Sequence, residues 1–457
     1  MMPRPEALHP AAARMLARLD ELAFHPGHEF PRIIRLEEPI TGADPLGWLA
    51  AQPGRIKGYW SSRDAELEVA ALGEADEVKG GQSGDYAACW NALRDRWAIA
   101  PAGIRYYGGF RFGPWHPHDS SWRPFQAYRF ILPEFELLRD AQGRGILAAN
   151  LFFRPGYDPI SAARRLLGAM QFPESLKPRA AGRAQGRHEI PDRNQWNALV
   201  QQALADIRAG RLEKVVLARR VCFVLDQAVD AFTLVHRMRE EAGRCYLFCG
   251  VHALGHAFVG ASPERLYSRN GQSLSSEALA GTRPRGQTAQ EDAALESELH
   301  ENPKEQSEHR MVIDGIRAAL ASLGAVVRHD PTPSVLKLAR VQHLVTRMQA
   351  DLPPTVGDAD ILRALHPTPA VGGQPTAAAM EWLCRMEPFD RGWYTGPVGW
   401  VSPDAAEFAV ALRCGLASGD RLCLFSGAGI VRDSDPEAEW AEMESKIGNI
   451  LSILGSQ

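Results

Sequence analysis

Nowhere does the chain offer a run of the roughly 18 apolar residues that a membrane span needs, and Met1 to Phe24 mixes proline, histidine, arginine and acids without the apolar segment of a secretory leader. Membrane insertion and secretion are therefore not expected, and a cytoplasmic protein is. An excess of one charge is missing too. The formal net charge is -4 and the sequence pI about 6.4, so nothing draws the whole chain to nucleic acid or to an anionic membrane, while a local basic pocket for a small anion stays open. Cysteine is scarce: Cys89, Cys222, Cys245, Cys249, Cys384, Cys414 and Cys423 form no C-x-x-C pair and mostly have apolar neighbours. They read as reduced core thiols, with neither a zinc site nor a disulfide expected. Repeats of fixed period and low-complexity tracts are lacking, which excludes solenoids and coiled coils.

What is present is an ordinary globular composition, 45% hydrophobic and 23% charged over 457 residues, enough for one large core or for two to three smaller ones. Residues 174–193 (ESLKPRAAGRAQGRHEIPDR) are polar and basic and read as an exposed connection between an N-terminal part, 1–190, and a C-terminal part, 191–457. In the first part, residues 104–112 and 127–133 have the aromatic and β-branched content of strands, and no catalytic constellation stands out. In the second, residues 196–209 carry Leu199, Val200, Ala203, Leu204 and Ile207 at helical spacing, with Gly210 to end the helix. Strands are expected at 214–225, 245–251, 256–260, 273–278, 396–401, 408–412 and 421–427. Helices are expected at 303–320 and 437–454, the latter with Trp440, Met443, Ile447, Ile450, Leu451 and Leu454 on its apolar stripe.

Several residues in this second part carry chemistry. The segment Leu365-His366-Pro367-Thr368-Pro369-Ala370-Val371-Gly372-Gly373 packs two prolines and two glycines among small apolar residues, which suits a rigid ligand-facing loop or a plain connection. Lys214 opens a strand whose same-face neighbours are Val216 and Ala218; partial desolvation makes a neutral amine available as a base, unless the side chain snorkels to solvent. Glu264 follows Pro263 at a strand end and is either a buried acid or a surface partner of Arg265. Glu305 and Glu308 stand three apart on one helix, and Glu439, Glu442 and Lys446 share a face of another. One carboxylate from each helix suits a Mg²⁺ clamp, the alternative being solvated acids with a Glu442–Lys446 pair. Gly281-Thr282 and Gly427-Ala428-Gly429 offer backbone N–H groups at close range, and Arg413 ends a strand where it can bind a carboxylate.

Taken in order, KVVLARR at 214, GASPERL at 260, LAGTRPRG at 279, KEQSEHRMV at 304, LHPTPAVGG at 365, EPFDRGWYTGPVGW at 387, ALRCG at 411, FSGAGIV at 425 and EWAEMESK at 439 resemble the chorismate-utilising enzymes, and within them the isochorismate synthases, over about residues 195–455. The resemblance implies an α/β fold of the α+β type, with two packed antiparallel-rich sheets and helices outside, residues 1–190 being a variable part of the same fold. It implies a Mg²⁺-dependent isomerase that takes chorismate, adds water at ring C2 and expels the C4 hydroxyl, for menaquinone or siderophore biosynthesis. Lys214 would be the base and Glu264 the acid; Glu308 and Glu442 would hold the metal, with Glu439 nearby. Gly281, Thr282, Tyr394, Arg413, Gly427, Gly429 and Lys446 would hold the two substrate carboxylates. Salicylate synthases and amine-forming anthranilate and aminodeoxychorismate synthases tend to carry threonine where this chain has Ala370, which points to the water-adding branch. A chorismate-binding protein without activity is the reading from outside the enzymes. Glu277, Arg283 and Arg285 are left without a role, and no oligomeric state is indicated.

Overall fold

The strand Lys214–Leu225 is buried at every position from Lys214 to Arg219, because both of its faces are covered. It lies near one end of a 12-stranded sheet, antiparallel to Arg421–Ile430 on one side and to Ala184–Ile190 and the short Gly373–Gln374 on the other. The sheet continues through Cys414–Ser418, His256–Ser262 and Tyr246–Ala253 into Lys57–Ser61, Leu67–Leu72, Phe135–Asp140, Gly145–Phe153 and Arg32–Ile40. A 10-stranded second sheet runs Val326–His329, Val341–Asp351, Ser273–Pro284, Arg265–Asn270, Ala405–Val410, Pro397–Val401, Tyr106–Phe110, Tyr128–Leu132 and Asp76–Gly80, with Ser334–Lys337 also paired to Val341–Asp351. This computed structural model describes residues 9–23, 31–81, 85–114, 119–180, 182–253 and 255–453. Leu454, residues 1–8 and Phe24 lie outside them.

An aromatic layer joins the sheets: Trp60, Tyr246, Phe248 and Phe258 from the first meet Val398 and Trp400 from the second around Trp122, Phe125 and Trp393. Helices Pro10–Ala23, Pro45–Ala51, Pro159–Gly168 and Ala231–Glu241 cover the first sheet through Met15, Leu19, Trp48, Ile160 and Leu234. Helix Pro303–Ser322 lies on Ser273–Pro284, with Val312, Ile316 and Leu320 sharing a core with Leu274 and Ala278. Its first turn is set by Asn302, whose side chain accepts from the Lys304 and Glu305 N–H groups, and by Pro303. The last helix, Pro436–Ile453, packs on Arg421–Ile430. Among the described residues no helix is long and apolar enough to cross a membrane. The α+β arrangement of two antiparallel sheets with helices outside is the one expected.

One expectation is extended and one is corrected. The stretch 174–193 is exposed over much of its length, yet it contains the strand Ala184–Ile190 hydrogen-bonded to Lys214–Leu225, and strands from before and after it interleave in both sheets. A polar strand exposed at each of its first five residues lacks the apolar alternation by which strands are recognised. The cysteines are not all reduced: Cys222 and Cys423 stand opposite each other in the register of their two strands and form a disulfide across 201 residues of sequence. Linear spacing does not reveal a cross-strand pair, and the disulfide withdraws the cysteine argument for a reducing compartment. Of the other five, Cys384 is exposed and the rest are buried.

One buried ion pair ties the loop at 365–373 to the strand of Lys214. Arg391 and Glu387, each 1% exposed, pair through two hydrogen bonds of 2.7 and 2.8 Å. Arg391 also donates to the carbonyls of Val216 at 2.7 Å and Val371 at 3.1 Å, and Glu387 accepts from the Ala218 N–H at 3.0 Å. Glu387→Ala leaves a buried, unpaired guanidinium and is expected to cost about 3–5 kcal/mol in chemical denaturation; a loss below about 1 kcal/mol would show that the pair does not hold the loop.

Candidate active site

A cavity of about 500 Å³ opens between the two sheets and the last helix. Lys214 lines it from the first residue of its strand and is 3% exposed. Its surroundings explain two glycines. A β-carbon at Gly429 would lie 2.8 Å from Lys214 Cε and 3.3 Å from Nζ, so only glycine leaves the side chain its path. At Gly373, with φ +142, a β-carbon would lie 2.4 Å from the Lys214 carbonyl oxygen.

Glu264 enters from the crossover at which the chain leaves the first sheet at Ser262 and joins the second at Arg265. Its carbonyl accepts from the Val410 N–H at 3.1 Å and its own N–H donates to Ser262 Oγ at 3.2 Å. The side chain is buried, and burial first, then the charge of Glu277, push its carboxyl up to about 8, with Lys214 and the nearby Thr368 hydroxyl pulling the other way. At neutral pH Glu264 is therefore a protonated acid facing a buried lysine. Glu277 is no plain strand residue: it is buried against Arg63.

Arg413 adopts φ +45, an uncommon conformation for a side-chain-bearing residue. It is half-buried, and desolvation lowers its pKa. Its Nη2 lies 2.9 Å from His343 Nε2. A guanidinium only donates, so Nε2 accepts and the His343 proton sits on Nδ1, beside the Gly281 carbonyl at 3.2 Å and Thr282 Oγ1 at 3.0 Å. Burial and the Arg413 charge push His343 down to about 3, so it is neutral. Among the described residues no carboxylate pairs with Arg413. A partly desolvated cation that lines a cavity beside a neutral partner is a site for an anion. His343 was missed because the strand Val341–Asp351 was not recognised; a histidine within that strand's QHLVT run was the available signal. Gly281, with φ +80, produces a register shift between Ala280 and Thr282 that turns Thr282 toward the same cavity.

The acids separate into distinct groups. Glu308 and Glu442 line the cavity. Lys446 pairs with Glu442 at 2.8 Å and donates to the Gly427 carbonyl at 3.0 Å; burial pushes the Glu442 carboxyl up, and Lys446 more than offsets this. Glu439 does not line the cavity: it is buried, accepts from Ser434 Oγ at 2.9 Å and has Lys304 at 3.6 Å. Burial, and then the charges of Glu442 and Glu308 against the Ser434 hydrogen bond, raise its pKa. Glu305 is occupied by Arg283 at 2.6 Å and the Thr282 N–H at 3.3 Å, while Arg285 pairs with Asp292, so both arginines brace this turn. Among the described residues no three of His, Cys, Asp and Glu converge as a ready-made metal cluster. Two cavity-facing carboxylates, with a third that feels their repulsion, do fit a hard cation that keeps several waters and takes a further oxygen from an anionic ligand.

The loop at 365–373 closes the cavity with Ala370 and Val371. His366 Nε2 meets the Thr395 carbonyl at 3.1 Å and Nδ1 the Tyr86 hydroxyl at 3.1 Å, and burial pushes the ring down to about 4. The Val216 N–H donates to the Gly372 carbonyl at 3.0 Å. Tyr394 lines the cavity, its ring stacked on Phe425 at 5.2 Å; a β-carbon at Gly427 would lie 3.0 Å from its hydroxyl. Ser426 lines the cavity with a buried hydroxyl that has no hydrogen-bond partner among the described residues, a feature with no sequence signal.

A family model described as chorismate binding enzyme matches residues 21–455. The chain belongs to the chorismate-binding enzymes. Within this family it is 35% identical over 440 residues to the salicylate biosynthesis isochorismate synthase of Pseudomonas aeruginosa, covering 92% of this chain and 91% of that one. It is 30% identical over 446 residues to the isochorismate synthase MenF of Bacillus subtilis, covering 93% and 94%. The solved structure of MenF, the menaquinone-specific isochorismate synthase from Escherichia coli, matches with a TM-score of 0.84 at 30% identity, over 96% of this chain and 99% of that one. Anthranilate synthase component I from Streptococcus pneumoniae, with a TM-score of 0.59 at 19% identity, shares the fold.

If Glu264 acts as an acid, kcat/KM is expected to fall as pH rises through about 8. The folded protein holds this proton above the ordinary value of 4.5, so the contribution to stability is present below 4.5 and lost as pH rises through about 8. Glu264→Gln is accordingly expected to abolish turnover yet melt above wild type at pH 9, the difference closing near pH 4. A variant that melts below wild type at pH 9 would contradict the buried-acid assignment.

Proposed function

We propose that the protein is an isochorismate synthase. It converts chorismate to isochorismate by adding water at C2 while the C4 hydroxyl departs as water and the ring double bonds shift, so water is both consumed and released. The observation that carries this reading is the convergence on one cavity of a buried lysine, a carboxylic acid protonated at neutral pH and a partly desolvated arginine that has no carboxylate partner among the described residues.

Lys214 takes a proton from the incoming water, and Glu264 gives its proton to the leaving hydroxyl. One residue cannot perform both tasks in the same step, and two groups carried on different sheets divide them. Arg413, Tyr394 and Lys446, with the backbone at Gly281, Thr282, Gly427 and Gly429, bind the two carboxylates, Arg413 as the desolvated cation. Glu308 and Glu442 would hold Mg²⁺, with Glu439 supporting them from behind. When bound, the ion takes up negative charge on the ring carboxylate and orients the ring. Ala370 and Val371 form the wall that leaves room for water and releases isochorismate intact, which favours this reading over salicylate formation and over the amine-forming reactions.

The menaquinone branch is the pathway proposed. The likeness to the menaquinone-specific Escherichia coli enzyme supports it, and the siderophore and salicylate routes are the alternatives that the Pseudomonas aeruginosa relative keeps open.

Incubation of pure protein with chorismate and Mg²⁺, with and without ammonium, is expected to yield isochorismate alone. Pyruvate release would favour salicylate synthase, an aminated product would favour the amine-forming enzymes, and binding without any product would favour a chorismate-binding protein. Lys214→Ala is expected to lower kcat by at least about a thousandfold while chorismate affinity changes only a few-fold. Glu308→Ala and Glu442→Ala are each expected to abolish the Mg²⁺-dependent rate, and a variant with normal metal dependence would exclude that residue as a ligand.

A further inference from the structure

The first part of the chain reaches the backbone around Glu264 through Arg63. Arg63, just beyond the strand Lys57–Ser61, inserts its guanidinium behind the Pro263-Glu264-Arg265 crossover. Nη1 donates to the Pro263 carbonyl at 2.8 Å and to Glu277 Oε1, and Nη2 donates to Glu277 Oε2 at 2.8 Å. Glu277 Oε1 accepts in turn from the Arg265 backbone N–H at 3.1 Å. The ion pair therefore grips the peptide immediately before and immediately after Glu264. Its side chains are 5% and 1% exposed, and Arg63 also lies over the Tyr246 ring at 5.6 Å. A buried ion pair generally adds little stability over apolar residues of the same volume, so stability alone does not account for one at this position.

We propose that Arg63 and Glu277 are the positioning pair of the proton donor: they fix the backbone on both sides of Glu264 and set a negative charge behind its carboxyl, so that the donor starts each cycle protonated. This rests on Glu264 being the acid of the proposed reaction. The groups that face Glu264 are Glu277 from Ser273–Pro284, Lys214 from the first sheet and the Thr368 hydroxyl from the loop; Arg63 and Arg265 stand behind Glu277. Of the three facing groups, Glu277 alone favours the protonated carboxyl.

The test follows the Glu264 carboxyl by pH-dependent infrared difference spectroscopy, assigned with Glu264→Gln, in wild type, Glu277→Gln and Arg63→Lys. In Glu277→Gln the Glu264 band is expected to titrate about one pH unit lower, and the alkaline limb of kcat/KM for isochorismate formation to move with it. Arg63→Lys keeps the charge but loses the two-pronged grip; its titration is expected to stay near wild type while kcat falls about tenfold with little change in KM. An unmoved Glu264 titration in Glu277→Gln overturns the electrostatic role, and a wild-type kcat in Arg63→Lys overturns the grip. If Glu277→Gln does not fold, Glu277→Asp, which withdraws the charge by one methylene, must shift the band in the same direction by less, and no shift overturns the proposal. Should wild type form no isochorismate, the reading of the reaction fails while the titration, which needs no turnover, still decides the fate of the pair.

Discussion

The site depends on the buried Arg391–Glu387 pair more than on any other single contact. Through it, one guanidinium and one carboxylate satisfy backbone groups of Val216, Ala218 and Val371 together, so the strand that begins at Lys214 and the wall that carries Ala370 are fixed to each other. With both partners 1% exposed, loss of either leaves a charge in a low-dielectric interior, and this cost keeps the arrangement intact. The His366 contacts to Tyr86 and Thr395 brace the far end of the same loop. A base that works beside a shaped wall needs this rigidity, because a displacement of an ångström is costly in near-attack geometry.

The electrostatics of the cavity follow a second logic. The groups that brace the turn beside the cavity are paired, as in Arg283–Glu305 and Arg285–Asp292. Apart from the Glu442–Lys446 pair, several groups assigned to the reaction are under-compensated: Glu264 is held protonated by burial, Arg413 meets a neutral imidazole and no carboxylate among the described residues, and Glu439 feels the charges of Glu442 and Glu308. A protein pays for such groups only where a ligand completes them, which is why perturbed titration marks this cavity. The N-terminal part contributes Arg63 and Tyr86, so the residues under the proton donor and behind the loop come from the half of the chain that lacks a catalytic constellation of its own.

Much of this was legible in the sequence, for identifiable reasons. The strand at 214–225 declared itself by a continuous aliphatic run, the helix at 196–209 by its 3.6-residue period, and the rigid loop at 365–373 by paired prolines and glycines. The cavity residues came from ordered motifs, and Lys214, Glu264, Arg413, Glu308 and Glu442 do meet in one cavity. What stayed hidden depends on register between distant strands. The Cys222–Cys423 disulfide, the Arg63–Glu277 pair and the His343–Arg413 contact each join residues that no local pattern links. Glu439 shows the converse: helical spacing put it beside Glu442, but rotation about the helix axis turns it onto Ser434 and away from the cavity lining.

In the proposed reaction solvent water, activated by Lys214, becomes the new hydroxyl while Glu264 expels the old one. Turnover of chorismate in ¹⁸O-enriched water tests it most directly. The account predicts isochorismate that carries one ¹⁸O at C2, with the original C4 oxygen released to solvent. Isochorismate formed without label would mean that the hydroxyl migrates within the ring and would contradict the assignment of Lys214 and Glu264 to water addition and hydroxyl departure.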